Sequence, residues 1–405
     1  MGRIFVGMKL IYIVYPILLV VLFWGAKFFK PREFNEEAFS LRQMKVIQGF
    51  VALLIMFHHL GQKTSASWID KKYYIGGLDM FVEIGFVLVT FFTFCSGYGL
   101  YKSFKSKPDY LNKRFILKRI FPVVALGYIV AWLYLPCRYL LGEKFDWKQF
   151  FYYLTEIKLC NPNGWYVFII AIFYLCFFLA FKFIRNEKIA LLAVFIFTVA
   201  YQLFCTTINH NEWWITGEWW FNSIHLFVVG IFFAMFEDKI VPHIKKYYIV
   251  YLIIAIALVL GGHKFWQYAR SAFSYYGENW KAPDTVFRRR ITLAGDIWFS
   301  SAVTFLSFLL SMKIRVGNRF LDFMGKITLE FYLIHGLFVE LFCFAFVGQL
   351  RSLYYIKNQP LFVAVVFVLG IAGAYLLSML TKKLKSIGGK ERQPKEAVKD
   401  LSEGA

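Results

Sequence analysis

The sequence predicts an all-α fold, a polytopic bundle of about eleven membrane-spanning helices found with a window of about 19 residues. Three observations carry this. Apolar residues make up 59% of the 405, aromatic residues 21%, and mean hydropathy is +0.55, whereas soluble domains hold roughly 45–50% apolar residues. Long apolar runs recur along the chain, separated by connections that hold most of the charge. No stretch of soluble composition is long enough for a separate catalytic domain, so any chemistry must occur among the apolar helices. In lipid such helices satisfy their own backbone hydrogen bonds.

The spans are expected near 8–29, 44–61, 80–101, 115–141, 164–184, 188–207, 220–238, 247–262, 291–312, 326–348 and 359–381. The first is too long for a signal-peptide core and lacks a small-x-small cleavage site, so it reads as a retained helix. This divides the chain into an extra N-terminal helix with its linker (1–43), a membrane domain (44–381) and a polar, disordered tail (382–405). No internal repeat is visible.

The net charge of +21 comes from 46 basic and 25 acidic residues. No basic domain stands apart from the spans, so nucleic acid is not an expected partner. The charge sets topology and meets the lipid bilayer's anionic headgroups. Lys102, Lys105, Lys107, Lys113, Arg114, Lys118 and Arg119 crowd the third connection, which places it in the cytoplasm. Counting onward puts the basic clusters at Lys182/Arg185/Lys188, Lys245/Lys246, Lys313/Arg315/Arg319 and Lys382/Lys383/Lys385 on the same side. The protein is then a multi-pass cell-membrane protein with its N-terminus outside and its C-terminus cytoplasmic. Segment 263–290 is the exception. It reads as a long outer loop with Trp266, Tyr268, Tyr275, Tyr276 and Trp280, yet it ends in Arg288–Arg290. The other outer connections are less basic, and 208–219 carries only Glu212 and Glu218. The six cysteines form no Cys-x-x-Cys metal or redox site. A Cys137–Cys160 bridge would be their one outer-side pairing.

Within this frame a few polar residues stand out. His58 and His59 close the second span, where lipid rewards neither ring nitrogen. Histidine titrates near neutrality and suits a general base. Asp79 and Glu83 open the next span at a similar depth, so either carboxylate could orient an imidazole. In the same span Ser96 is a hydroxyl donor, while Gly97 and Gly99 permit close helix approach. Lys113, Arg114, Lys118 and Arg119 precede Pro122 at the start of the fourth span, where cations and a helix N-terminus together suit phosphates. Ordinary positive-inside anchoring explains such a cluster too. Asn163-Gly-Trp165-Tyr166 opens the fifth span, and an interfacial aromatic belt accounts for its two rings equally well. In Thr328-Leu-Glu330-Phe-Tyr332-Leu-Ile-His335, Tyr332 and His335 share one helix face. Glu330 inside a span costs roughly 2.5–3.5 kcal/mol on insertion scales unless it is paired or protonated. Asp296 and His225 are further intramembrane candidates, and His225 follows Trp219-Trp220-Phe221-Asn222.

These elements, in this order over about residues 44–381, resemble the acyltransferase 3 family of integral membrane enzymes. The segment Met44–Gln62 is similar to that family's first core helix, whose histidine lies eleven residues beyond an arginine. The correspondence puts His59 in the catalytic place and Gln48 where the arginine is expected. Lys45 or Arg42 is then left to supply the charge. Phe91-Phe92-Thr-Phe-Cys-Ser96-Gly97-Tyr98 resembles the Phe-Phe-x-x-Ser-Gly-Tyr/Phe signature, with Thr90 where many members carry Asp. Arg119 and Pro122 match the Arg-x-x-Arg-Ile-x-Pro element, whose first arginine is Ile116 here. Trp165-Tyr166 is similar to the Trp-Tyr/Phe-Leu element, without the glutamate that often follows. Thr328–His335 resembles the Ser-x-x-x-Tyr-Leu-x-His element.

The resemblance implies a membrane acyltransferase that uses acyl-CoA, by family habit acetyl-CoA, as a cytoplasmic co-substrate near Lys113, Arg114, Lys118 and Arg119. The acceptor is a hydroxyl of an outer carbohydrate, glycolipid or envelope glycan. No permanently bound cofactor and no metal is expected. His59, with His58 and Glu83, would form the catalytic group, while Ser96, Trp165, Tyr166, Glu330, Tyr332 and His335 are further pocket candidates. The competing reading is a transporter or flippase for a lipid-linked saccharide or small anion, since intramembrane acids, histidines and basic mouths serve a substrate pathway as well. A non-catalytic envelope scaffold leaves those ionisable groups unexplained.

Overall fold

The computed structural model describes residues 10–208, 221–273, 282–348 and 350–387. Among these, thirteen α-helices account for almost all regular structure, joined by two two-stranded hydrogen-bonded pairs. The helices are α1 (Val14–Phe23), α2 (Leu41–Thr64), α3 (Gly85–Ser106), α4 (Phe121–Leu140), α5 (Trp147–Leu154), α6 (Trp165–Phe183), α7 (Glu187–Cys205), α8 (Leu226–Lys246), α9 (Tyr248–Ala272), α10 (Thr285–Ser311), α11 (Arg319–Lys326), α12 (Thr328–Phe342) and α13 (Gln359–Ile387).

Seven of these are long and apolar enough to cross a bilayer: α2, α4 together with the π-helical turn before it, α6, α7, α9, α10 and α13. The chain is therefore a multi-pass membrane protein by helix length and composition. Among the described residues this does not confirm the expected count of about eleven. α12 has 15 residues and α1 only 10. α3 and α8 carry polar ends, with Lys102 on α3 paired to Glu237 on α8 at 2.6 Å.

α2 is central and packs on α3, α11 and α12, while α3 packs closely on α8. Ser40 caps α2, its hydroxyl accepting from the Gln43 amide at 3.1 Å. At the α3–α8 crossing a Cβ on Gly97 would overlap the Phe227 carbonyl oxygen, and one on Gly230 the Phe94 carbonyl oxygen. Nothing stands within 4 Å of a Cβ on Gly99, so of the two glycines expected at this contact only Gly97 makes it. Gly97→Ala should therefore cost about 1–3 kcal/mol by overpacking, while Gly99→Ala leaves thermal unfolding in detergent unchanged. Equal melting temperatures for the two variants would contradict this packing.

Segment 263–290 is not one long loop. α9 continues to Ala272 and α10 begins at Thr285, so Arg288–Arg290 lie in the first turns of a helix. The Arg289 guanidinium donates to the Ile208 carbonyl at 2.8 Å, and Arg290 Nε to Thr206 Oγ1 at 3.3 Å. These cations satisfy orphan groups past the end of α7, a local role that accounts for their departure from the loop-charge pattern. Residues 209–220 and 274–281, with Glu212, Glu218, Trp219, Trp220, Tyr275, Tyr276 and Trp280, lie outside the described residues, as does 388–405. α13 runs to Ile387, past the expected start of the tail at 382.

The N-terminal segment is tied at both ends. The Tyr15 hydroxyl donates to the Gly77 carbonyl at 2.9 Å, and Asn318 Nδ2 donates to the Val21 carbonyl at 2.8 Å. Beyond α1, Lys27–Phe28 pairs antiparallel with Ile314–Arg315. All six cysteines are free, Cys137 and Cys160 included. The 142–164 connection is instead organised by buried Arg138, which donates to Glu143 at 2.8 Å and to the Cys160 carbonyl at 3.2 Å. Within it the Glu156 carboxylate accepts from the Cys160 amide at 3.0 Å, and burial pushes that carboxyl up to about 8. This connection delivers Trp165 and Tyr166 at the start of α6.

Candidate active site

α2 and α12 bring together two histidines far apart in sequence. His59 Nδ1 lies 2.8 Å from His335 Nε2, and His335 Nδ1 lies 2.6 Å from the Phe331 carbonyl oxygen. A carbonyl only accepts, so His335 Nδ1 carries hydrogen and donates to it. Neutral His335 then presents a lone pair at Nε2, which takes the hydrogen on His59 Nδ1. The remaining lone pair of the two rings sits on His59 Nε2, which has no partner among the described residues. The tautomers thus follow from the bonding network. His335 is fully buried and His59 half-buried.

His58 points elsewhere. Its Nδ1 donates to the Phe81 carbonyl at 2.8 Å, and its ring fills the space a side chain at Gly85 would take. His58 therefore pins α2 to the turn before α3. Glu83 is exposed and Asp79 bonds the Tyr74 hydroxyl and the Gly77 amide. Neither carboxylate is bonded to His59; the group that meets its ring is His335, which the α2–α12 contact carries there directly.

One turn beyond His59, Lys63 Nζ meets the Glu340 carboxylate at 2.9 Å, and Glu340 also accepts from the Val347 amide at 2.5 Å. The side chains of this ion pair are 20% and 5% exposed. It fastens α2 to α12 beside the histidines and ties in the 345–351 hairpin. Sequence reading passed over both residues. Lys63 stands four residues after His59 and Glu340 five after His335, so the signal was helical spacing from two histidines already singled out.

A cavity of about 300 Å³ opens from the opposite, basic end of the bundle. Lys45, Lys118, Arg119 and Lys326 line it together with Gln48, Ser96, Tyr166, Glu330 and Tyr332. Lys113 and Arg114 are exposed and lie outside this lining. Arg42 is turned away, paired with Asp322 at 2.9 Å at the surface, so Lys45 is the α2 cation beside Gln48. Arg42 holds the Asp322 carboxyl below its usual range. Lys118 and Arg119 sit in a π-helical turn, Ile116–Ile120, whose wider winding brings both to the cavity. Trp165 packs edge-on against Tyr166 behind the wall, with ring centres 6.1 Å apart.

The cavity reaches toward the histidines. The Tyr166 and Tyr332 rings meet edge to face at 5.5 Å, and the Tyr332 and His335 rings are 6.4 Å apart. Tyr332 precedes His335 by one turn, a rise of ~4.5 Å. Neither His59 nor His335 lines the cavity itself. The remaining intramembrane candidates form a separate cluster: Asp296 accepts from Trp266 Nε1 at 3.0 Å and pairs with Arg270 at 3.3 Å, and His225 Nε2 bonds Ser301 Oγ at 3.0 Å.

Apolar helices enclosing a cation-rimmed cavity, with a histidine pair past its far end, make this a multi-pass membrane protein with an internal polar site. The model of the acyltransferase 3 family, described as an acyltransferase domain, matches residues 41–379, and the chain belongs to that family. It is accordingly a membrane acyltransferase. No curated protein and no solved structure matches the chain.

Proposed function

We propose that this acyltransferase moves an acyl group, acetyl by preference, from acyl-CoA at the basic end of the bundle to a carbohydrate hydroxyl at the histidine end. The observation that carries the reading is the His59–His335 bond at 2.8 Å, with Tyr332 and its cavity one turn away. Lys45, Lys118, Arg119 and Lys326 supply positive charge for the donor's phosphates. The basic end faces the cytoplasm on the positive-inside pattern, so the acceptor is an extracytoplasmic glycan or glycolipid.

In this mechanism the acceptor hydroxyl approaches His59 Nε2, which takes its proton as the oxygen attacks the thioester carbonyl. His335 keeps His59 in the tautomer whose free nitrogen faces the acceptor, and its own hydrogen bond to Phe331 fixes its ring. The carbon–sulfur bond then breaks, and the thiolate takes the proton back from His59. Family membership favours this transfer over transport of a lipid-linked saccharide.

Membranes containing the protein, incubated with acetyl-labelled acetyl-CoA, should incorporate label into glycan. Lys118→Gln and Arg119→Gln should each raise KM for acetyl-CoA. A charge-assisted hydrogen bond contributes roughly 1.5–3 kcal/mol, which is about tenfold or more in affinity. Wild-type KM in both variants would remove these cations from donor binding, and absence of labelling would overturn acetyl-CoA as the donor.

A further inference from the structure

Among the tyrosines lining the cavity, one hydroxyl has no work to do. Tyr166 lies with its hydroxyl 3.4 Å from Ser96 Oγ. Tyr332 is 5% exposed and its ring forms part of the cavity wall, and its hydroxyl meets no donor or acceptor among the described residues. The hydroxyl is not shut away in the packing: it opens onto the cavity, where a bound substrate rather than the protein would meet it. Its position is also specific. It stands on α12 between the cations of the cavity and the histidine pair, one turn before His335. Its ring packs edge to face against Tyr166, with ring centres 5.5 Å apart, which limits how the phenol can turn.

We infer that the Tyr332 hydroxyl is a catalytic hydrogen-bond donor to the carbonyl oxygen of the donor thioester. This rests on the acyl-transfer reading above. As the acceptor oxygen bonds to the carbonyl carbon and its proton passes to His59 Nε2, the carbonyl π electrons move onto oxygen. That oxyanion takes the Tyr332 O–H hydrogen bond. On collapse the carbonyl re-forms, the carbon–sulfur bond breaks, and the departing thiolate takes the proton from His59. Tyr332 stays protonated throughout, so the step needs no further reactant. A donor fixed in place ahead of the charge it meets needs little reorganisation, which is the basis of oxyanion stabilisation. The arrangement also separates roles along α12: Tyr332 faces the electrophile and His335 orients the base.

The test is acetyl-CoA turnover by the full-length protein in native membranes, read as released thiol, for wild type and Tyr332→Phe. Removing one oxyanion donor should lower kcat by about 10²–10³ while KM for acetyl-CoA and the melting temperature stay at wild-type values. Wild-type kcat in the variant overturns the proposal. A raised KM with unchanged kcat also overturns it, because Tyr332 would then be a donor-binding group. If the variant is unstable, 3-fluorotyrosine at position 332 keeps the ring and alters only the acidity of the hydroxyl. A changed kcat then supports the role and an unchanged one overturns it. A wild-type protein that releases no thiol contradicts the acyl-CoA reading itself, and the Tyr332 role falls with it. Thiol release by wild type with an unaffected variant contradicts Tyr332 alone.

Discussion

His59→Ala should abolish acyl transfer while leaving the protein folded and inserted. A positioned general base contributes roughly 10²–10⁴ in rate, and in the proposed mechanism His59 is both that base and the contact through which His335 acts on the acceptor. His335→Ala should approach the same loss without touching substrate. Without the His335 acceptor, nothing fixes the hydrogen on His59 Nδ1, and the ring is free to present the wrong nitrogen. In that mechanism the two residues act as one unit, so their effects should not add: the double variant should be about as impaired as His59→Ala alone. Comparing label incorporation in the two single variants and the double variant reads this directly. Additive losses would mean that His335 acts on something other than His59. His58→Ala should behave differently, loosening the α2–α3 contact through Phe81 and lowering the melting temperature more than the turnover of folded protein.

The largest expected effect on stability belongs to Lys63 and Glu340. Removing one partner of a buried ion pair leaves an uncompensated charge and typically costs about 3–5 kcal/mol. Lys63→Met strands the Glu340 carboxylate, which is 5% exposed. Glu340→Gln strands the ammonium but keeps a side-chain oxygen for the Val347 amide. Each single variant should melt well below wild type. The combined Lys63→Met/Glu340→Gln variant should recover most of the loss, because neither charge then remains buried alone. The loss should carry into activity as well, since the pair fastens α2 to α12 one turn beyond the histidines. Thermal unfolding in detergent for the three variants measures the coupling. Single variants as stable as wild type would show that the pair is solvated and contributes little.

Much of this was legible in the chain. Apolar composition and loop charge gave the helical membrane class, and the order of the elements gave the family. His59, His335, Tyr332 and Arg119 were each singled out by type and spacing. What periodicity cannot supply is the partner across the bundle. His59 meets His335 over a separation of 276 residues and Lys63 meets Glu340 over 277. Glu83 therefore looked like the orienting group only because it was near in sequence. The choice between Lys45 and Arg42 was also hidden, since it depends on where Asp322 of α11 draws Arg42. The π-helical turn at Ile116–Ile120 changes which basic residues face inward, and its hydrogen-bond pattern has no simple signature in residue type. Arg288–Arg290 misled the reading of loops because charge within a helix can serve a neighbouring helix end instead of topology.

In the proposed mechanism an acyl group presented at the cationic mouth is delivered past Tyr332 to a hydroxyl activated by His59. Sealed everted membrane vesicles test it most directly, with acetyl-labelled acetyl-CoA supplied only to their exposed cytoplasmic face. Label should appear on glycan inside the vesicles with wild-type protein and be absent with His59→Ala. Equal lumenal labelling in both, or labelling only when acetyl-CoA meets the opposite face, would contradict it.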